Sequence, residues 1–140
     1  MNKDCIFCGI VRGEIPALKV YEDAHALVFL DVARDVDGHM LAIPKVHASS
    51  VLDCDEEMLA HVMTAVRRVS RHCVENCGFE GVNLLNASGA AAGQSVPHLH
   101  IHILPRKTGD GCDAWPHLPG AHASLEEMHR ILTMMKEKDI

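Results

Sequence analysis

Three histidines alternate with apolar residues in the stretch Pro97-His98-Leu99-His100-Ile101-His102-Ile103-Leu104-Pro105. Imidazole is the side chain whose unperturbed proton affinity lies nearest neutrality, so it can attack, donate, accept or ligate a metal under ordinary conditions. In a strand, successive side chains point to opposite faces. His98, His100 and His102 then share one face, with alternate Cβ atoms ~7 Å apart, while Leu99, Ile101 and Ile103 turn to a core. A helix would scatter the imidazoles, and the β-branched isoleucines favour the strand. Pro97 and Pro105 bracket the segment, as expected where a ladder must stop. Polar strand faces ordinarily use Lys, Glu and Thr. Three imidazoles in a row point instead to metal binding or phosphorus chemistry.

Other residues carry possible chemistry. Cys5-x-x-Cys8 has the spacing of half a zinc site, and His47 follows the Ile43-Pro44-Lys45 segment. The alternative readings are two reduced, metal-free thiols or a redox C-x-x-C, which would need a βαβ setting that is missing here. Gly93-Gln94-Ser95-Val96, directly before the histidines, has the features of an anion site: small residues admit backbone N–H groups to a phosphate, and Ser95 adds a hydroxyl. Asp31 ends a strand, where an Asp commonly makes a turn.

These residues need a scaffold, and the remaining sequence supplies one. The 140 residues suffice for one domain with a real core, at 48% hydrophobic and 23% charged. A net charge of −6 argues against a general nucleic-acid binder. Six cysteines without a signal-peptide pattern fit a reducing cytoplasm better than a disulfide framework, and no apolar run is long enough to span a membrane. Eleven histidines are the main compositional clue.

The segment from Cys5 to Arg12 reads as a short helical turn stopped by Gly13. Leu18–Glu22 alternates like an edge strand, His25–Leu30 reads as a partly buried strand, and His39–Ile43 follows a turn at Gly38 and stops at Pro44. From Asp55 the period becomes helical: Met58, Leu59, Val62, Met63, Val66, Val69 and Cys73 form the apolar stripe, with Gly78 where a left-handed terminal residue belongs. Gly81–Asn86 is a fourth strand, the histidine segment a fifth. Ser124-Leu125-Glu126-Glu127 is a capping box opening a helix to about Met135. The expected fold is α+β: a five-stranded antiparallel sheet with two principal helices, in one domain spanning 1–140.

His98-Leu99-His100-Ile101-His102-Ile103-Leu104 resembles the signature of the histidine-triad (HIT) family. Gly38-His39-Met40-Leu41-Ala42-Ile43-Pro44-Lys45 resembles that family's central strand, Cys5–Asp31 its N-terminal segment, and Gly93–Val96 its approach to the triad. The resemblance implies a nucleotide hydrolase or transferase acting at the α-phosphorus, and a homodimer whose sheets join. It implies His100 as nucleophile, His102 as donor to a phosphate oxygen, and His39 in orientation or proton relay. It implies Asp31 at the ribose, Asn86 near sugar and phosphate, Gly93, Gln94, Ser95 and Val96 at the phosphate, and Ile6, Phe7, Ile10, Phe29 and Val32 around a base, purine being favoured.

One bacterial branch of the family implies further that Cys5, Cys8, His47 and His98 hold a structural Zn2+. Four protein ligands would close that site and leave His100 and His102 free for phosphorus. Two other classes stay open from the sequence: a metalloenzyme using the histidine row as ligands, and a nucleotide-binding scaffold with little turnover.

Overall fold

The computed structural model describes residues 2–120 and 124–140. A short helix, α1 (Ile6–Arg12), leads into strands β1 (Lys19–Glu22), β2 (Ala26–Leu30) and β3 (Met40–Pro44). The long helix α2 (Glu56–Asn76), β4 (Gly81–Leu85), a 3-10 turn (Ala90–Ala92), β5 (Ile101–Arg106) and α3 (Leu125–Lys136) follow. The five strands form one antiparallel sheet in the order β1-β2-β3-β5-β4. Among the described residues, no helix is long and apolar enough to cross a membrane.

Local chemistry explains the helix ends. Asp55 accepts a hydrogen bond from the Glu57 N–H and caps α2, and Gly78 beyond it takes φ of 78°. Ser124 accepts from the Glu127 N–H, as the capping box requires. Cys5 caps α1 through its sulfur, which accepts from the Cys8 N–H. That places both thiols on one side of the first helical turn.

The sheet separates two environments. On one face Ala26, Val28, Met40, Ala42, Ile101 and Ile103 pack against Val62, Ala65, Val66, Val69 and Cys73 of α2. On the other, Leu27, Phe29, Leu41 and Ile43 pack against Phe7, Cys8 and Ile10 of α1 and against its cap, Cys5. Alternation along β5 therefore sends Ile101 and Ile103 to the α2 core and leaves His102 opposite Leu41 on the α1 face.

Several boundaries differ from the sequence expectation. Met63 is 41% exposed and lies off the packed stripe, whereas Ala65 is in it. The histidine strand starts at Ile101, not at Pro97. Its ladder with β3 runs only from Met40–Ile103 to Ala42–Ile101. The preceding backbone is diverted: the Leu99 N–H donates to the Ala48 carbonyl (2.7 Å) and the His98 N–H to that of Val96 (2.9 Å). Pro105 lies inside β5 rather than ending it, opposite Val82. It sits beyond the last β3 pair, so its missing N–H breaks no rung there. Gly38 fits beside it: a Cβ there would lie 3.3 Å from the Pro105 Cγ, and φ is 77°.

Candidate active site

His98 is wholly buried. Its Nε2 lies 3.1 Å from the Pro44 carbonyl oxygen. A carbonyl only accepts, so Nε2 carries the proton and Nδ1 presents a lone pair. That lone pair faces the sulfurs of Cys5 (3.3 Å) and Cys8 (3.5 Å), and His47 Nδ1 lies 3.3 Å from the Cys8 sulfur. The four ligand atoms all fall within 4.8 Å of one another. With Zn–S near 2.3 Å and Zn–N near 2.0–2.1 Å, tetrahedral ligands sit about 3.6 Å apart. The cluster thus fits a closed zinc site in donor type, spacing and outer hydrogen bond.

His100 is buried as well, and its Nδ1 lies 2.7 Å from the His98 carbonyl oxygen. The same rule protonates Nδ1 and leaves Nε2 unprotonated in the neutral ring. Asn86, one residue past β4, donates from Nδ2 to the His100 carbonyl (2.9 Å), and its Oδ1 accepts from the Ser88 hydroxyl (2.9 Å). Phe7 sets its ring edge-on to His98, His100 and Phe29, at centroid distances of 5.7, 5.3 and 5.6 Å.

His102 Nδ1 lies 2.8 Å from His39 Nε2. His39 Nδ1 in turn lies 2.7 Å from Asp35 Oδ1, and Asp31 Oδ2 is 3.5 Å from His39 Nε2. Burial above all, then His100 and His39, push the His102 imidazole below its ordinary range. The hydrogen bond from His39 holds the Asp35 carboxyl below its own. Among the described residues, the ligand atoms of His98, His100 and His102 do not converge as a group; the other converging set is Asp31, His39 and His102.

Asp31 also lines a cavity of about 450 Å³ with Ile10, Phe29, Val32, Leu18 and Arg34. Of the residues assigned to a base pocket, Ile10, Phe29 and Val32 are therefore brought together. Ile6 is 56% exposed at the start of α1 and is not in this lining, and Phe7 packs on the histidines instead. In the loop before the triad, the Gly93 and Gln94 N–H groups already donate to the Ala90 and Gly89 carbonyls. Gln94 ties the loop to the connection after β3: Oε1 accepts from the Gly89 N–H, and Nε2 donates to the Ser49 and Val96 carbonyls. Ser95, exposed, is the member of the loop with a hydroxyl to offer.

Asp35 and the Pro44 carbonyl belong to the site without any mark in the sequence. Asp35 lay in a polar turn with no periodicity to mark it, and a carbonyl has no sequence signature.

The "HIT domain" profile matches residues 12–109. Adenylylsulfatase HINT3 of Arabidopsis thaliana is 43% identical over 110 residues, 79% of this chain and 56% of that protein. Adenosine 5'-monophosphoramidase hnt1 of Schizosaccharomyces pombe is 40% identical over 118 residues, covering 82% and 85% of the two chains. The crystal structure of a Zn-bound histidine triad family protein from Mycobacterium smegmatis superposes with a TM-score of 0.75 at 33% identity, covering 95% of this chain and 96% of that one. This chain belongs to the HIT domain family.

Burial holds the His98 imidazole neutral down to about 4, with His47 and His100 pushing the same way against the bond to Pro44. In the unfolded chain a histidine takes its proton near 6.5. Between those values the unfolded state binds more protons, so stability falls as pH drops. In chelator-treated protein, urea unfolding from pH 7 to pH 4 should show a His98 contribution on the order of 3 kcal/mol disappearing across that window. The slope should be shallower in His98→Gln, and equal slopes would contradict the buried neutral imidazole.

Proposed function

We propose that this chain hydrolyses purine nucleoside phosphoramidates or dinucleoside polyphosphates at the α-phosphorus, through a nucleotidyl intermediate on His100. Family membership and relatives named for adenylylsulfatase and adenosine 5'-monophosphoramidase activity support nucleotide hydrolysis. The observation that carries the intermediate is the 2.7 Å contact between His100 Nδ1 and the His98 carbonyl, which commits Nδ1 as donor and frees Nε2 to attack.

His100 Nε2 forms a bond to phosphorus as the bond to the leaving group breaks. His102 supplies a proton on that side, relayed from His39. Water then attacks the phosphorus, releases the nucleoside monophosphate and restores the imidazole. Asp31, at the junction of the cavity and His39, is suited to the ribose hydroxyls. Ile10, Phe29 and Val32, which line the cavity beside Asp31, are assigned to the base, and Ser95 and Val96 to the phosphate. Asn86 acts through the His100 backbone. The test is His100→Ala: turnover of adenosine phosphoramidate should fall by at least about a thousandfold while AMP affinity stays within a few-fold. Turnover within tenfold of the parent would sink the assignment, and nucleotide binding by a parent that turns nothing over would favour a scaffold.

Zn2+ on Cys5, Cys8, His47 and His98 would supply no chemistry to the reaction; it would join α1, the end of β3 and the start of the triad. One zinc per chain is expected by elemental analysis, lost in Cys8→Ser together with several degrees of melting temperature. His100→Ala should keep it. Zinc lost with His100 but retained without the thiols would move the metal into the triad. The six free cysteines fit a cytoplasmic protein.

A symmetric homodimer is proposed through the β4 edge and α2, where Leu84, Leu85, Met63 and Val74 are each between 38% and 44% exposed. Light scattering should return twice the 15.3 kDa chain mass at micromolar concentration. A stable monomer would contradict it.

A further inference from the structure

Asp35 touches no residue assigned a role by the sequence except His39, yet the loop around it is built to hold it there. The Asp31 N–H donates to the His39 carbonyl (2.8 Å) and the His39 N–H to that of Val36 (3.1 Å), closing the loop on itself. Asp31 Oδ1 accepts from the Ala33 N–H at 2.9 Å. Arg34 takes φ of 55°, the one non-glycine residue with positive φ among those described. A left-handed backbone is unfavourable for such a residue, because Cβ crowds the following carbonyl oxygen. The residue after it is Asp35. Its Oδ1 accepts from the Val36 N–H (2.8 Å) and from His39 Nδ1 (2.7 Å).

We infer that Asp35 is a positioning residue for the reaction proposed above: by fixing a proton on His39 Nδ1 it directs the second His39 proton toward His102 and keeps His102 protonated on Nε2. The inference rests on the proposed hydrolase reading.

Proton counting carries it. A carboxylate at Nδ1 leaves His39 Nε2 as the only nitrogen that can exchange a proton with His102. With two protons shared by the two rings, His39 Nε2 accepts from His102 Nδ1–H, and His102 Nε2 is bare. One further proton reverses the direction of that bond. His39 then carries Nδ1–H to Asp35 and Nε2–H to His102 Nδ1, which leaves the single His102 proton on Nε2, turned away from His39. This is the state that can serve as acid. When His102 Nε2–H passes to the departing amine, the His39 Nε2 proton moves to His102 Nδ1, and His39 returns to neutral with Nδ1–H still on Asp35. The water consumed in the second step returns the proton.

The charged and titratable groups facing this pair are Asp31 and Asp35 from the loop and His100 on the β5 side. Asp31 at 3.5 Å contributes field, whereas Asp35 at 2.7 Å contributes direction. The Asp35 side chain is 53% exposed, so water screens much of its charge and the hydrogen bond is what acts.

The leaving group provides the test. Asp35→Ala and Asp35→Asn, with Asp35→Glu as rescue and Asp37→Asn as a same-loop charge control, are assayed on two adenylyl substrates: an alkylamine phosphoramidate, whose amine must be protonated to depart, and the nitrophenyl ester of AMP, whose phenolate need not be. Asp35→Ala should lower kcat on the phosphoramidate about ten- to a hundredfold with KM within about twofold, and lower it much less on the ester. The alkaline side of its pH profile should move to lower pH, because the acid form is less favoured. Asp35→Glu should recover part of the loss and Asp37→Asn should match the parent. Nitrogen-15 spectra of the histidines give a readout free of turnover: the His39 Nδ1–H form should dominate in the parent and give way in Asp35→Ala. Equal losses on both substrates, an unmoved pH profile, or an Asp37→Asn loss matching Asp35→Ala would overturn the role. A parent inactive on both substrates would count against the hydrolase reading instead, and the spectra would then decide: a His39 tautomer indifferent to Asp35→Ala would overturn the contact itself.

Discussion

The hydrogen bond from the His98 ring to the Pro44 carbonyl is the constraint on which the site depends. A buried imidazole needs partners for both nitrogens, or its burial costs on the order of 1–3 kcal/mol per unmet group. Pro44 ends β3 and its carbonyl accepts the hydrogen bond from Nε2–H, so Nδ1 faces Cys5 and Cys8 at the start of α1. One side chain thereby joins three separate stretches of sequence. The backbone of the same residue sets the next step, since its carbonyl accepts the hydrogen bond from His100 Nδ1–H. The anchoring of His98 and the tautomer of His100 are consecutive consequences of one placement.

The sheet lets this polar assembly coexist with an ordinary core. Ile101 and Ile103 bury against α2, and burying such side chains contributes about 1.5–3 kcal/mol each. Those contacts fix the register of β5, and a slip of one residue would exchange the histidines for the isoleucines. On the opposite face, Phe7 fills the space beside His98 and His100, so α1 both carries the two thiols and backs the imidazoles. From His100 onward the hydrogen bonds pass to a different set of residues: His102, His39 and the carboxylates of the loop between β2 and β3.

Much of this was legible in the sequence because it rests on periodicity and capping. The two-residue period gave Ile101 and Ile103 to the core and His102 to the opposite face, the helical stripe gave α2, and the Asp55 and Ser124 caps gave helix starts. The start of β5 was not legible, because Leu99 and His98 bond to Ala48 and Val96 rather than to a ladder, and those partners lie in connections. Asp35 was invisible for a related reason: its position comes from a closed loop with a left-handed Arg34, not from spacing. The location of Gln94 suggests an anion site, and only the fold reveals that three hydrogen bonds tie its side chain to the backbone of Gly89, Val96 and the distant Ser49. Helix α3 was legible from its capping box, but nothing in the pattern indicated that none of its residues is buried in this chain.

Transfer of a nucleotidyl group to Nε2 of His100 would leave a covalent adduct whose position on the chain can be mapped. A single turnover with adenosine phosphoramidate, quenched in base to spare an acid-labile P–N bond and digested for mass spectrometry, should place one adenylyl group on the peptide containing His100, at its Nε2. The adduct should form and decay at rates that account for turnover. An adduct on His98, His102 or His39, or turnover without any adduct on the protein, would contradict the account.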